Sequence, residues 1–424
     1  MHSLVVEIGN SSVRAARLVD GRLDLVTTSG RARSSAVTVR PDGSIVPGTT
    51  SGGVVIDDVA RRLCAPVTVS PAAVASVGAA PSAESLAAAL LRSVVDEAAE
   101  HGPRPTTLRL VHGGSWHPRS VAALRNAASG LGVAIETSPE PVGATTWALA
   151  TGVAASDAPI LVVSAGTEVI DAAVTIAGFG STEVLGRAAS IDVRHTPLDA
   201  PSALHRLVLE RIGAAPDDDA VVEHADALAA ACREALVRLS TGEEIAVALP
   251  LPFDGEVLVS PETLGGRMAP AVPDAFRRLR DAVESAHLAV SDVSAVVLTG
   301  SAAHSRSLVT AVSEVLDRPV VVPPRPEAAG VLGTALDPVR SPRTRRSMAA
   351  RVADAGGSGD VATDSGPEGS TGSAAGRARR VITAAAVAVV VAALLATMFL
   401  ARSSGDTPAV AEQGRSERTA GATG

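Results

Sequence analysis

Residues 4–21, LVVEIGNSSVRAARLVDG, lie without a gap over residues 161–178, LVVSAGTEVIDAAVTIAG, with seven identities in eighteen positions. Each stretch reads as a strand, a Gly-containing turn and a second strand. The copies differ at the end of the first strand, where Glu7 stands in one and Ser164 in the other. A second pairing follows in the same order along the chain. LRLVHGGSWHPRSVAALRN, from Leu108, lies over AVVLTGSAAHSRSLVTAVS, from Ala295, and matches Gly113 with Gly300, His117 with His304, Arg119 with Arg306 and Ser120 with Ser307. In that register PEPVGATTWAL, from Pro139, lies over PEAAGVLGTAL, from Pro326. Two long gapless pairings in one order confine the chain to a fold of two similar halves.

The local patterns indicate what each half contains. Strands joined by tight turns favour antiparallel pairing. Strands joined through helices favour parallel pairing. Each half is therefore expected to be a mixed sheet covered by helices, and a cleft between two such halves is a usual place for a ligand. Aromatic residues make up only 1% of the chain, so the core must be built mostly from Val, Leu, Ile and Ala. Cys64 and Cys232 have no metal or redox spacing and are expected as small buried hydrophobes in helices. Trp116 and Trp147 are expected to pack in the core. The net charge of -8 argues against nucleic acid as a partner, because phosphate backbones need clustered basic side chains. All 37 basic residues are arginine, which together with abundant Ala points to a high-GC genome of the actinobacterial kind.

Residues 338–380 change character, becoming rich in Gly, Ser, Ala and charge without apolar periodicity, and read as a disordered linker. Residues 381–401, VITAAAVAVVVAALLATMFLA, carry no charge. As a helix they would reach roughly 31 Å, close to the thickness of a bilayer core. Arg377, Arg379 and Arg380 flank the N-terminal side of this run, and only Arg402 lies close on the other. The positive-inside rule then places residues 1–380 in the cytoplasm and a short polar tail, 402–424, outside. The expectation is a single-pass anchor in the cell membrane.

Over residues 1–337 the chain resembles the nucleotide-binding domain of Hsp70, within the actin, Hsp70 and sugar kinase ATPase superfamily. Segments that carry the resemblance occur in the family's order. VVEIGNSSVRAARLVDG is similar to the first phosphate loop, and SSAVTVRPDGSIVPG to the hairpin after it. Residues 105–152 resemble the segment that runs into the first connecting helix. ILVVSAGTEVIDAAVTIAG is similar to the second phosphate loop, and REALVRLSTGEEIAVALP to the helix and strand beside the adenine. Residues 260–320 resemble the long helix and adenosine loop, and EAAGVLGTAL the last helix. The resemblance implies an α/β actin-like ATPase fold, with lobe I at 1–152, lobe II at 153–337, and a nucleotide cleft between them.

It also implies a set of site residues. Gly9, Asn10, Ser11 and Ser12 would hold phosphate in the first loop, and Ser164, Gly166 and Thr167 in the second. Such turns let backbone N–H groups approach phosphate closely. Glu7 stands where the family has an Asp that holds hydrated Mg²⁺, and is the one metal-facing acid kept, since Ser164 replaces the other. Glu168 would bring an unfavourable negative charge toward the phosphates, and Asp171 matches a family acid one strand further on. Arg61 aligns near the catalytic lysine; it can pair with phosphate but cannot give up a proton near neutral pH. Glu140 matches the family's water-orienting carboxylate, with a helix-start acid as the other reading. Ser240, Gly300, Ser301 and His304 would line the adenosine side, with His304 stacking on the base in place of an Arg, or doing no more than opening a helix as His117 does in the other half.

The implied ligand is ATP or ADP with Mg²⁺, held weakly by a site that has lost part of its metal-binding and catalytic set. The expected protein is a membrane-anchored, Hsp70-like regulatory or accessory component, with a slow ATPase whose cleft cycles as the alternative. Linker, span and tail follow the ATPase-like region in place of the β-sandwich and lid of Hsp70 chaperones, so a free-standing folding chaperone is not expected. The whole architecture resembles the Hsp70-related proteins of actinobacterial type VII secretion clusters, which implies partners in a membrane secretion complex.

Overall fold

The computed structural model describes residues 2–336, except 20, 27–32, 66–80, 156–157 and 179–180. The linker, the candidate membrane span and the tail lie outside the described residues. Among the described residues no helix is long and apolar enough to cross a membrane.

The first half begins with β1 (Ser3–Ile8), β2 (Ser12–Val19) and β3 (Arg22–Leu25). A short β4 (Arg33–Ser34) pairs with the start of β2, while β5 (Val37–Val39), β6 (Ile45–Pro47) and β7 (Val54–Ile56) form a separate small sheet. Then come α1 (Val59–Cys64), α2 (Ala83–Glu100), β8 (Thr107–His112), α3 (Pro118–Ala128), β9 (Ala134–Pro139) and α4 (Glu140–Ala150). The second half contains β10 (Ile160–Ala165), β11 (Val169–Gly178), β12 (Ser181–Asp192), α5 (Ala200–Ile212), α6 (Asp219–Glu223) and α7 (Ala225–Leu239). It continues with β13 (Ile245–Ala248), β14 (Glu256–Val259), α8 (Pro261–Met268), α9 (Val272–Ser285), β15 (Ala295–Thr299), α10 (Arg306–Leu316), β16 (Val320–Val321) and α11 (Ala329–Leu336).

The protein is thus mixed α/β, and its two main sheets share one topology. The first runs β3-β2-β1-β8-β9 and the second β12-β11-β10-β15-β16. In both, the central strand pairs antiparallel with its hairpin partner and parallel with the strand that returns through helices. The outer pairs repeat the pattern, antiparallel on one side and parallel on the other.

Strand alternation decides which helices each face receives. Leu4, Val6 and Ile8 of β1 point into a core with Leu86, Leu90 and Val94 of α2. Val5 points the other way, into a cluster with Ala16, Val111, Val331 and Leu332. In the second half Leu161, Val163 and Ala165 join a large core with Phe276 and Leu279 of α9. The apolar face of α9, Val272, Phe276, Leu279, Ala282 and Val283, has the three- and four-residue spacing that one side of a helix requires. Ile160 and Val162 pack instead against Ala144 and Ala148 of α4.

The two closing helices therefore do not stay with the halves that precede them in sequence. α4 follows the first half but packs on the second sheet, and α11 follows the second half but packs on the first. A lobe boundary drawn along the chain at residue 152 divides sequence, not core. The exchange is possible because the helices cross almost backbone to backbone. A Cβ placed on Gly143 would lie 2.1 Å from the Gly330 carbonyl oxygen, and one on Gly333 would lie 1.8 Å from the Gly143 carbonyl oxygen. Trp147 packs against the clusters on both sides of this crossing, and its indole N–H donates to the Pro324 carbonyl at 2.6 Å.

Cys232 is buried as expected, but Cys64 is exposed. Cys64 is the last residue of α1, where the chain leaves the helix.

Candidate functional site

The strand order brings the C-terminal ends of β1 and β8 in one half opposite those of β10 and β15 in the other. Open α/β sheets bind ligands at such strand ends. A cavity of about 400 Å³ lies there, lined by both halves. Glu7, Gly9, Asn10, Ser11, Ser12, Arg61 and Glu140 border it from the first half; Ser164, Gly166, Thr167, Gly300 and Ser301 border it from the second. Twelve of the fourteen residues singled out from the sequence thus meet around one space. Ser240 and His304 do not border it.

The two hairpins face this space with the same geometry. The Gly9 N–H donates to the Ser12 carbonyl at 2.9 Å, and the Gly166 N–H donates to the Val169 carbonyl at 3.0 Å. In β1 and β2 Glu7 pairs across the ladder with Arg14, and in β10 and β11 Ser164 pairs with Asp171. One cross-strand position thus holds an acid and a base in the first half, and a hydroxyl and an acid in the second. The second half has not lost its carboxylate; Asp171 offers it from the neighbouring strand and borders the cavity. Sequence reading passed over Arg14, and the signal that could have found it is its match to Asp171 in the gapless alignment.

Four carboxyl groups line this cavity; Glu327 is held by His304, and burial raises the pKa of Glu7, Glu140 and Asp171. Glu140 is 6% exposed, and its pKa is pushed up to about 8 by burial and, next, by the charge of Glu7. The Thr299 hydroxyl donates to Glu140 Oε1 at 3.1 Å and moderates the shift. At neutral pH Glu140 keeps its proton, the wrong form for drawing a proton from water. Glu7 is raised by burial and held back by Arg14. Asp171 is raised by burial and held back by hydroxyls of Ser190 and Ser115.

The Ser115 hydroxyl donates to Asp171 Oδ1 at 2.8 Å and so ties one half to the other across the cavity. Ser115→Ala leaves this buried carboxylate short of a donor. It is expected to destabilise the protein by about 1–3 kcal/mol in denaturant unfolding and to raise the Asp171 pKa further, measurable by NMR titration. An unchanged midpoint would mean that the tie contributes nothing.

Other residues have different surroundings from those expected. Glu168 does not border the cavity; its charge faces Arg61 and Arg194, with burial the main influence on its raised pKa. The charge expected near the phosphates lies in the bend between β10 and β11 and faces these two arginines instead. Arg61 borders the cavity, but its guanidinium pairs with Asp58 one turn earlier in the chain. His304 is held by Glu327, Nε2 to Oε2 at 2.9 Å, and does not present its ring to a ligand space. Its sequence counterpart His117 caps α3 by accepting from the Arg119 N–H, whereas Ser305 is the cap of α10. The two histidines share an origin in the alignment but not a role, because in the second half Ser301–His304 coil into a 3-10 turn and the helix cap falls one residue later, at Ser305.

Ser240, which the resemblance assigned to the adenosine, is buried and donates to the Val237 carbonyl at 2.7 Å. It borders a second space of only about 40 Å³, shared with Gly166, Thr167, Leu236, Gly265 and Ser301. That is room for one or two waters, far less than a purine needs.

The side chains present also fit a divalent cation poorly. Mg²⁺ prefers ionised oxygen donors in octahedral array. Here Glu140 is protonated at neutral pH, Glu7 and Asp171 are both raised, and the Arg14 guanidinium occupies the same cavity. Among the described residues no three His, Cys, Asp or Glu side chains gather closely enough to hold a metal ion. What the site offers is a pair of tight Gly turns, several hydroxyls and two guanidinium groups, one of them paired with Asp58, a set suited to an anion. No protein-family model matches the chain, and no curated protein matches it at a significant level.

Proposed function

We propose that this chain is an Hsp70-like member of the actin-type ATPase superfamily whose cleft has kept its phosphate-facing turns but lost metal-dependent hydrolysis, and that it works as a regulatory or accessory module of a membrane secretion complex. The observation that carries this reading is the pair of hairpins, Gly9–Ser12 and Gly166–Val169, with one turn geometry and one cross-strand register on opposite sides of one cavity. The crossed helices α4 and α11 support the actin-type reading, since they link the halves as a hinge would. The protonated Glu140 and the pairing of Arg61 with Asp58 support loss of catalysis. The ligand in this reading is ATP or ADP held by its phosphates.

The membrane placement rests on sequence. The uncharged run 381–401, with arginines on its N-terminal side, supports a single-pass anchor with the two-lobed domain in the cytoplasm. Type VII secretion partners follow from likeness of architecture. Neighbouring genes for a secretion ATPase and for small secreted helical hairpins would support that partnership.

The test is ATP turnover by the full-length chain in detergent micelles. Hydrolysis no faster than buffer is expected with excess Mg²⁺. Turnover that needs Mg²⁺ and disappears in Glu7→Ala would show a working ATPase and defeat this reading.

A further inference from the structure

We propose that Arg14 supplies the positive charge that a divalent cation would bring, so that the cleft binds the terminal phosphates of a di- or triphosphate without metal. This rests on the reading of the cleft as a phosphate site. Arg14 borders the cavity and is half-buried. No ion pair within 4 Å and no hydrogen bond to a described residue engages its guanidinium. Its Nη1 lies beside the first phosphate turn, 3.5 Å from where a Cβ on Gly9 would be. Its charge reaches both Glu7 and Glu140, holding down the pKa of each.

A second observation points to the same ligand. Ser12 is fully buried, borders the cavity at the end of the Gly9 turn, and has a hydroxyl with no partner. A buried hydroxyl left unpaired is costly and is normally satisfied. A phosphate oxygen in the turn would accept from it.

The other charges of the cavity are already paired or suppressed. Arg61 is held by Asp58, Glu327 by His304, and Glu140 carries its proton at neutral pH. Among the described residues Arg14 is the cation of this cavity left to meet an anion, and Glu7 faces it across the ladder without pairing with it. A guanidinium offers its donors in a planar fork that matches two phosphate oxygens, and it is charged at every working pH. A Mg²⁺ ion entering beside it would be repelled, which agrees with the poor donor set for a metal. Nothing in this arrangement recognises a base, so inorganic pyrophosphate and nucleotides share the chemistry that is recognised.

The experiment is calorimetry on the full-length chain in detergent micelles with ATP, ADP and inorganic pyrophosphate, each in EDTA and in excess Mg²⁺. The expected result is binding that persists in EDTA. Arg14→Gln should weaken binding in EDTA by about tenfold or more, and Arg14→Lys by less. Ser12→Ala should bind more weakly while melting at a higher temperature, a pair of opposite changes that a merely structural hydroxyl would not produce. If Arg14→Gln does not fold, Arg14→Lys and Ser12→Ala still decide the matter. Pyrophosphate binding as tightly as ATP would identify the phosphates as the whole ligand; ATP binding alone would show base recognition and overturn the base-independent part. Binding that vanishes in EDTA, or equal affinities for wild type and Arg14→Gln in EDTA, would overturn the proposal and leave the phosphate cleft standing. No binding in either buffer would overturn both.

Discussion

Replacing Gly333 with valine is expected to cost about 3 kcal/mol or more of stability. The cause is geometric. The Gly143 carbonyl oxygen lies 1.8 Å from where the first side-chain carbon would go, and it belongs to a helix backbone that cannot rotate aside. Relief requires α4 and α11 to separate. That would pull Val331 and Leu332 away from the first sheet and Ala144 and Ala148 away from the second. Overpacking of a well-filled site usually costs about 1–3 kcal/mol, and a backbone clash belongs at or above the top of that range. Gly130→Ala is the control, because nothing lies within 4 Å of its added carbon and its φ is not in the left-handed region. It should be neutral or slightly stabilising. Denaturant unfolding of both variants checks this, and similar midpoints for the two would mean the crossing is looser than described.

Stability should fall as pH rises from about 4.5 to 8, and Glu140→Gln should remove much of that fall. The Glu140 carboxyl has an ordinary value of 4.5 and is pushed up to about 8 in the fold. Below 4.5 both folded and unfolded chains hold the proton, and the stability linked to this group is fully present. Between the two values the unfolded chain ionises while the folded one does not, so stability is lost with each pH unit. Above about 8 both are ionised and the loss levels off. By linkage the deficit at pH 7 is on the order of 3 kcal/mol. Glutamine has nearly the shape of the protonated acid and can still accept from Thr299, so the variant should be more stable than wild type at pH 7. Urea unfolding across that range is the measurement. Glu7 and Asp171 are shifted the same way, so a residual slope should remain in the variant. A wild-type curve that is flat between pH 5 and 8 would show that Glu140 titrates normally.

Much of the site could be read from the chain because it was written twice. The gapless alignment put Gly9 opposite Gly166, and the structure gives both the same hydrogen-bonded turn. The apolar runs of β1 and β10, Leu4–Val6 and Ile160–Val163, were legible in the same way, and both strands are buried on both faces. The alignment also placed Arg14 opposite Asp171, but that pairing gained meaning only when the hairpins faced one another. Glu168 shows the opposite limit. Its charge sits in the phosphate turn by sequence, yet the hairpin directs it toward Arg61 and Arg194. His304 shows another: alignment made it the twin of His117, while a short turn and the distant Glu327 gave it a different partner.

Sequence alone determined the two-fold repeat, the mixed pairing within each half, the aliphatic core and the turns that meet at the cavity. These depend on neighbours a few residues apart and on patterns that repeat. Tertiary structure alone decided that α4 and α11 change places, that Glu140 holds its proton, and that the space beside Ser240 is far smaller than the one between the two hairpins. Each of those is set by contacts between residues more than a hundred positions apart, such as Gly143 with Gly330 and Thr299 with Glu140. Burial and proximity of that kind arise only when the two sheets face each other, and they decide which of the inherited side chains remain charged, paired or free to meet a ligand.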